Sequence, residues 1–184
     1  IAGLIDISKP ARTRAFVSQT IIDRIQLTTL LASFAAATGY PQHPLDPSRM
    51  GFVGVSYGGV TGGLFMALEP RVGAGVLNTA GAGLIDLMRG GSFRLAMEIL
   101  VASASGTFSL DELGDIGQTW PLLRAALQTV IDPADPIHYV RRMRGPNRIA
   151  HLAADRRVLI QEGIGDETVP HTSTAQLADA AGLS

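Results

Sequence analysis

The fold is decided by residues 49–60, which read RMGFVGVSYGGV. The short apolar run 49–55 is typical of a fully buried parallel strand, and residues 57–68 continue with a helical pattern rich in small residues. Ser56 stands at the junction, with glycine two positions before and two positions after it. This G-x-S-x-G motif between a strand and a helix predicts a sharp turn that presents a serine nucleophile.

The spacing of the motif has a physical reason. A turn that lifts the Ser56 hydroxyl above a sheet requires a positive φ, and we expect a Cβ at Gly54 or at Gly58 to clash with it. The backbone N–H of Tyr57, at the start of the helix, is then a candidate oxyanion donor. The alternative is an ordinary strand-to-helix turn. Three other serines are less suitable because they lack glycine at both flanking positions: Ser92, Ser103 and Ser105.

Outward from this motif, strands alternate with helices. Two further apolar runs, 72–77 and 157–161, predict strands, while helical patterns cover residues 13–38 and 173–181. In the first helix we expect one buried stripe made by the following apolar residues: Val17, Ile21, Ile22, Ile25, Leu30, Leu31 and Phe34. This order predicts an α/β fold in which helices flank a parallel sheet.

Residues 84–148 break the alternation, because they contain helical segments separated by Gly and Pro and no convincing strand. We interpret them as a helical cap inserted above the sheet. Their apolar residues suit an acyl-binding pocket and equally suit a plain helical core: Leu95, Ile99, Leu100, Phe108, Trp120, Leu122 and Leu123.

A serine nucleophile needs a base that a carboxylate orients. Asp166 follows the third strand and should therefore lie at the same edge of the sheet as Ser56; Glu167 is the neighbouring alternative, and a helix-capping role is the other interpretation of Asp166. In hydrolases with this motif the order along the chain is Ser, acid, His.

The histidines fit that order poorly. His43 precedes Ser56, and His138 and His151 precede Asp166. His171 follows Asp166 by only five residues and is a weaker candidate for the base. We therefore expect the base outside residues 1–184, and we interpret the chain as one incomplete domain, truncated at both ends.

Composition excludes several classes of function. Lys and Arg number 15 against 16 Asp and Glu, so there is no basic field to bind a nucleic acid. There are no cysteines, which excludes disulfides, thiolate zinc sites and cysteine nucleophiles. No apolar run approaches the ~20 residues that a membrane span needs. Neither a metal nor an organic cofactor is implied.

Two segments resemble one known family. Residues 45–59, LDPSRMGFVGVSYGG, resemble the nucleophile turn of serine α/β-hydrolases, in a form common to prolyl-oligopeptidase-like peptidases and several bacterial esterases. Residues 163–170, GIGDETVP, resemble the acid loop of the same group, G-x-x-D-x-x-V-P. Residues 131–139, IDPADPIHY, look more like large bacterial extracellular lipases and esterases.

The resemblance implies an α/β-hydrolase fold, with Ser56 as nucleophile, Asp166 as acid and the Tyr57 N–H as oxyanion donor. It implies an exported hydrolase of small-molecule or lipid esters; a prolyl-oligopeptidase-like peptidase and a non-catalytic binding module on the same scaffold are the alternatives. The sequence departs from the family because it lacks the first strands, which carry a second oxyanion donor, and the last strand with its histidine. We therefore expect residues 1–184 alone to be nearly inactive.

Overall fold

The computed structural model describes residues 8–37, 46–105, 120–152 and 154–183. These residues form a mixed α/β structure, in which a small parallel sheet is flanked by helices. The strands are β1 (Met50–Val55), β2 (Val72–Asn78) and β3 (Arg157–Gln161). The helices are α1 (Pro10–Ala37), α2 (Tyr57–Leu68), α3 (Leu84–Gly90), α4 (Arg94–Ser105), α5 (Trp120–Ile131), α6 (Ile137–Val140) and α7 (His171–Ala181). Short 3₁₀ turns occupy Pro47–Arg49 and Asp132–Ala134.

The sheet confirms the three predicted strands and their parallel direction. Its order is β1-β2-β3, and the pairing places Val55 beside Asn78 and Asn78 beside Gln161. All three strands therefore end at the same edge, which we call the C-terminal edge. Whatever follows each strand in sequence begins at this edge.

One face of the sheet is packed against α2, and this packing requires small residues. A Cβ on Gly62 would lie 2.4 Å from the Phe52 ring and 2.8 Å from Leu77, so only glycine lets α2 lie this close to β1 and β2. The core around this contact is completed by α1 and α7, with Val17, Ile21 and Leu177 buried.

The opposite face of the sheet corrects one expectation. Val53, Val76 and Leu159 form one row across the three strands, yet Val53 is 72% exposed and Leu159 54% exposed. The prediction that β1 is fully buried is therefore wrong. The reason is that the described helices that contact the sheet pack on its other face, whereas parallel sheets are normally covered on both.

Helix α1 also departs from the prediction. Val17 and Ile21 are buried and Ile25 is partly buried, but the other four residues of the expected stripe are exposed: Ile22, Leu30, Leu31 and Phe34. They lie on a different side of the helix from the buried residues Val17 and Ile21.

The residues between β2 and β3 form a second core. In the described parts of residues 84–148 there is no strand, as predicted, and α3, α4 and α5 bury Leu84, Ile85, Met88, Met97 and Leu127. This core also includes Val60 of α2 and Val169 of the loop after β3. The block therefore packs at the C-terminal edge of the sheet. Its role as a cap stays a prediction.

Candidate functional site

Ser56 occupies a strained turn between β1 and α2. Its φ is 54° and its ψ is −121°, a combination that non-glycine residues rarely adopt and that costs on the order of 1–3 kcal/mol. The Ser56 N–H donates to the Asn78 carbonyl at 3.0 Å and to Thr79 Oγ1 at 3.2 Å. Among the described residues, its Oγ has no hydrogen-bond partner. The hydroxyl is thus available for chemistry.

The two flanking glycines have different roles. A Cβ on Gly54 would lie 2.4 Å from the carbonyl oxygen of Gly58, so a side chain at Gly54 would force the turn apart. A Cβ on Gly58 would meet no heavy atom within 4 Å outside its own helix and chain neighbours. The expectation of a clash at both positions holds for Gly54 and is wrong for Gly58, because the Gly58 Cβ would point into open space.

The main chain of Tyr57 starts α2. At this position the N–H has no acceptor within the helix, and no described residue accepts from it. Its side chain is fixed by helix α1, since the hydroxyl lies 3.3 Å from Thr20 Oγ1 and the ring packs on Phe16. Burial raises the pKa of the phenol, so it stays protonated. Tyr57 therefore links α1 to the turn that contains Ser56.

Asp166 lies in the loop after β3, at the same edge of the sheet as Ser56. Its Oδ1 accepts hydrogen bonds from the N–H groups of Thr168 at 2.8 Å and Val169 at 2.9 Å. It does not cap α7, whose N-cap is Pro170 and has no side-chain hydrogen bond. The Oδ2 atom accepts no hydrogen bond from the described residues. One oxygen fixes the loop and the other can accept the N–H of an imidazole.

Glu167, the alternative acid, is placed differently. Its side chain is exposed, and its carbonyl accepts a hydrogen bond from the Ser92 hydroxyl at 3.0 Å. The Ser92 hydroxyl is therefore engaged in holding the loop after β3. A Cβ on the adjacent Gly91 would lie 2.3 Å from the Thr168 carbonyl oxygen, which shows how closely the α3–α4 turn packs on this loop.

Thr79 was not identified from the sequence. It follows β2, the central strand, and its φ of 42° makes it the second non-glycine residue with positive φ in the described chain. Its Oγ1 accepts a hydrogen bond from the Ser56 N–H. Its methyl group lies close to Gly163, where an added Cβ would be 3.3 Å from Thr79 Cγ2 and 3.3 Å from Asp166 Cβ. Thr79 thus lies between the turn that contains Ser56 and the loop that contains Asp166. Nothing in the sequence marks it, because a threonine after an apolar run is ordinary.

An apolar cavity of about 110 Å³ opens beside Ser56. Its walls come from α1 (Val17), α2 (Val60), α3 (Leu84, Leu87, Met88), Phe93 and the loop residues 168–169. The seven apolar residues named from the sequence do not line it where their side chains are described. Leu95, Ile99 and Leu122 are exposed, Trp120 and Leu123 belong to the second core, and the side chains of Leu100 and Phe108 lie outside the described part. Within residues 84–148, the cavity wall is therefore formed by α3 and Phe93 and not by the later helices.

No described histidine lines this cavity. His138 Nε2 lies 2.9 Å from Asp132 Oδ1, and His151 Nε2 lies 2.9 Å from the Leu68 carbonyl, at the far end of α2. His171 is the exposed first residue of α7. His43 lies outside the described residues. The side chains of Ser103 and Ser105 also lie outside the described part of the chain.

Other kinds of site find no support in the described part of the chain. No group of three or more His, Cys, Asp or Glu residues there could hold a metal ion. Of the helices described, none is long and apolar enough to cross a membrane.

Comparison with known proteins gives no match: no family model fits the sequence, and neither a curated protein nor a solved structure is significantly similar to it. Function therefore has to be argued from the site.

Proposed function

We propose that this chain belongs to a serine hydrolase with the α/β-hydrolase fold, which cleaves carboxylic esters through an acyl-enzyme on Ser56. The observation that carries the proposal is the backbone of Ser56. A serine with φ of 54° between a parallel strand and a helix is held in strain by its surroundings, and such strain is concentrated at active sites.

In the proposed reaction, the Ser56 Oγ attacks the ester carbonyl and the alcohol leaves, which forms an acyl-enzyme; water then releases the acid. The Tyr57 N–H stabilises the oxyanion, an interaction worth on the order of 3 kcal/mol in comparable enzymes. A histidine takes the proton from Ser56 and returns it to the leaving alcohol. The Oδ2 of Asp166 orients that histidine.

The base is proposed to lie outside residues 1–184. Two described histidines are occupied elsewhere, His138 by Asp132 and His151 by the Leu68 carbonyl. His171 is close in sequence to Asp166 but does not line the cavity. We therefore expect full activity from the natural full-length polypeptide and nearly none from these 184 residues.

The apolar cavity fits the ester assignment. Most of its lining residues are aliphatic or aromatic, and pockets of this kind bury the hydrocarbon part of a small ligand. It suits the hydrocarbon part of an acyl group.

The test compares hydrolysis of p-nitrophenyl butyrate with that of a proline-containing peptide p-nitroanilide by the full-length polypeptide. We expect ester turnover that Ser56→Ala abolishes and that Ser48→Ala, at an exposed serine before the N-terminal end of β1, leaves within about twofold. Preference for the anilide would identify a peptidase instead. Absence of turnover on both substrates would identify a non-catalytic scaffold and refute the proposal.

A further inference from the structure

The cavity beside Ser56 is small. A dry apolar cavity of ~150 Å³ is known to accommodate benzene, so each carbon atom requires roughly 25 Å³. On this scale the cavity of about 110 Å³ accommodates about four carbon atoms. An acyl group attached to Ser56 would fill it at about the length of butyrate.

A second apolar cavity lies directly behind the first. It has a volume of only about 10 Å³, and its walls include Ile85 of α3, Met97 of α4, and Leu127 and Ile131 of α5. Met88 and Thr13 line both cavities and therefore separate them. Met88 is the larger of the two side chains and is 4% exposed.

Met88 is well suited to close a cavity of this kind. Its unbranched side chain fills irregular apolar space. Removal of its three outermost heavy atoms would free roughly 75 Å³ at the same volume per atom and join the two cavities. The joined space would accommodate an acyl chain of about eight carbon atoms.

We propose that the site takes esters of short-chain carboxylic acids, with an upper limit near four carbons, and that Met88 sets this limit. The inference depends on the proposed function, because it assigns the cavity to the acyl group of the Ser56 acyl-enzyme. Met88 acts on specificity and takes no part in bond cleavage.

The experiment measures kcat/KM of the full-length polypeptide for p-nitrophenyl acetate, butyrate and octanoate. For the native protein we expect butyrate to exceed octanoate by about tenfold or more, the discrimination that apolar pockets achieve against extra methylenes. In Met88→Ala we expect that ratio to fall about tenfold, while kcat/KM for the acetate stays within about threefold.

Met143→Ala is the matched control. Met143 is fully buried in the other core and lines neither cavity, so its truncation costs stability without changing the ratio. Thermal unfolding checks that both variants are folded, and Met88→Val, a smaller truncation, replaces Met88→Ala if the latter does not fold. A native preference for octanoate, or an unchanged ratio in a folded Met88 variant that still hydrolyses butyrate, would overturn the inference and leave the proposed function intact. Failure on every ester would overturn both.

Discussion

The polar groups of Glu69 and Arg156, at one end of the parallel sheet, and those of Ser56 and Asp166, at the other, differ in how fully they are hydrogen-bonded. At the N-terminal end, Glu69 is fully buried and its two carboxylate oxygens accept hydrogen bonds from Thr28 and from the backbone and guanidinium of Arg71. Arg156 donates to the carbonyls of Met66 and Glu69. At the C-terminal edge, the Ser56 hydroxyl and one oxygen of Asp166 have no partner among the described residues.

Backbone strain follows the same division. Both non-glycine residues with positive φ in the described chain, Ser56 and Thr79, lie at the C-terminal edge. Hydrogen bonds satisfy the buried groups of a fold, whereas backbone strain destabilises it and persists where function requires it. This concentration of strain at the C-terminal edge supports the proposal that Ser56 is the nucleophile.

The largest expected effect comes from Ser56→Gly. Glycine removes the nucleophile and also accepts the positive φ, so turnover should fall by at least about 10⁴-fold while the free energy of unfolding rises by about 1 kcal/mol. Urea denaturation and ester hydrolysis of the full-length polypeptide measure the two effects. Ser56→Ala is the control and should lose turnover without gaining stability. A loss of stability in Ser56→Gly would contradict the assignment of strain to this residue.

Gly54→Ala should have the next largest effect. Its Cβ would lie 2.4 Å from the Gly58 carbonyl oxygen, so the backbone must shift, at a cost of about 3 kcal/mol. Gly58→Ala is the matched variant two positions beyond the turn; its Cβ meets open space, and we expect a change between zero and a gain of about 1 kcal/mol. Chemical denaturation of both variants checks this. Equal destabilisation would show that the steric difference between them is wrong.

Glu69→Gln tests the N-terminal end of the sheet. Burial acts to raise the pKa of the Glu69 carboxyl, but hydrogen bonds from Arg71 and Thr28, with the charge of Arg71, hold it below its usual value. Its contribution is therefore present above the unfolded-state pKa of about 4.3 and is lost as the pH falls through the lower folded-state value.

We expect Glu69→Gln to cost about 2 kcal/mol at pH 7, and less as the pH falls below about 4. Urea denaturation across this pH range, at unchanged ionic strength, measures the difference. Glu98→Gln is the control, since Glu98 pairs with Arg94 at the surface at 3.8 Å and should cost less than about 0.5 kcal/mol. A loss that is independent of pH would exclude the ionised carboxylate as its source.

The smallest expected effect is at Thr79. Thr79→Val keeps the shape of the side chain but removes one of the two acceptors of the Ser56 N–H, and we expect kcat to fall about tenfold with KM nearly unchanged. Thr79→Ser keeps the oxygen and should restore most of the activity. Full kcat in Thr79→Val, or a Thr79→Ser variant as slow as Thr79→Val, would show that this hydrogen bond does not account for the loss.

Part of this arrangement follows from sequence patterns. Three short apolar runs predicted the strands, and their alternation with helices predicted the parallel direction. The glycines around Ser56 predicted its turn, because a tight turn depends on local backbone chemistry. The position of Asp166 at the C-terminal edge followed from parallel strands ending together.

Other features depend on tertiary neighbours. The exposure of Val53 reflects which elements cover the sheet, and the absence of a clash at Gly58 reflects the direction of one Cβ vector. Thr79 acquires its place through a contact with Ser56, 23 positions away in the chain. The wall of the cavity comes from α3 and from α1, a contact between distant segments that no local pattern encodes.

The most direct test of the central claim is the site at which a fluorophosphonate probe reacts with the full-length polypeptide. We predict a single adduct, which peptide mass spectrometry locates on Ser56, and its loss in Ser56→Ala. An adduct on another serine, or none at all on the folded protein, would contradict the account of this strained turn as the catalytic centre.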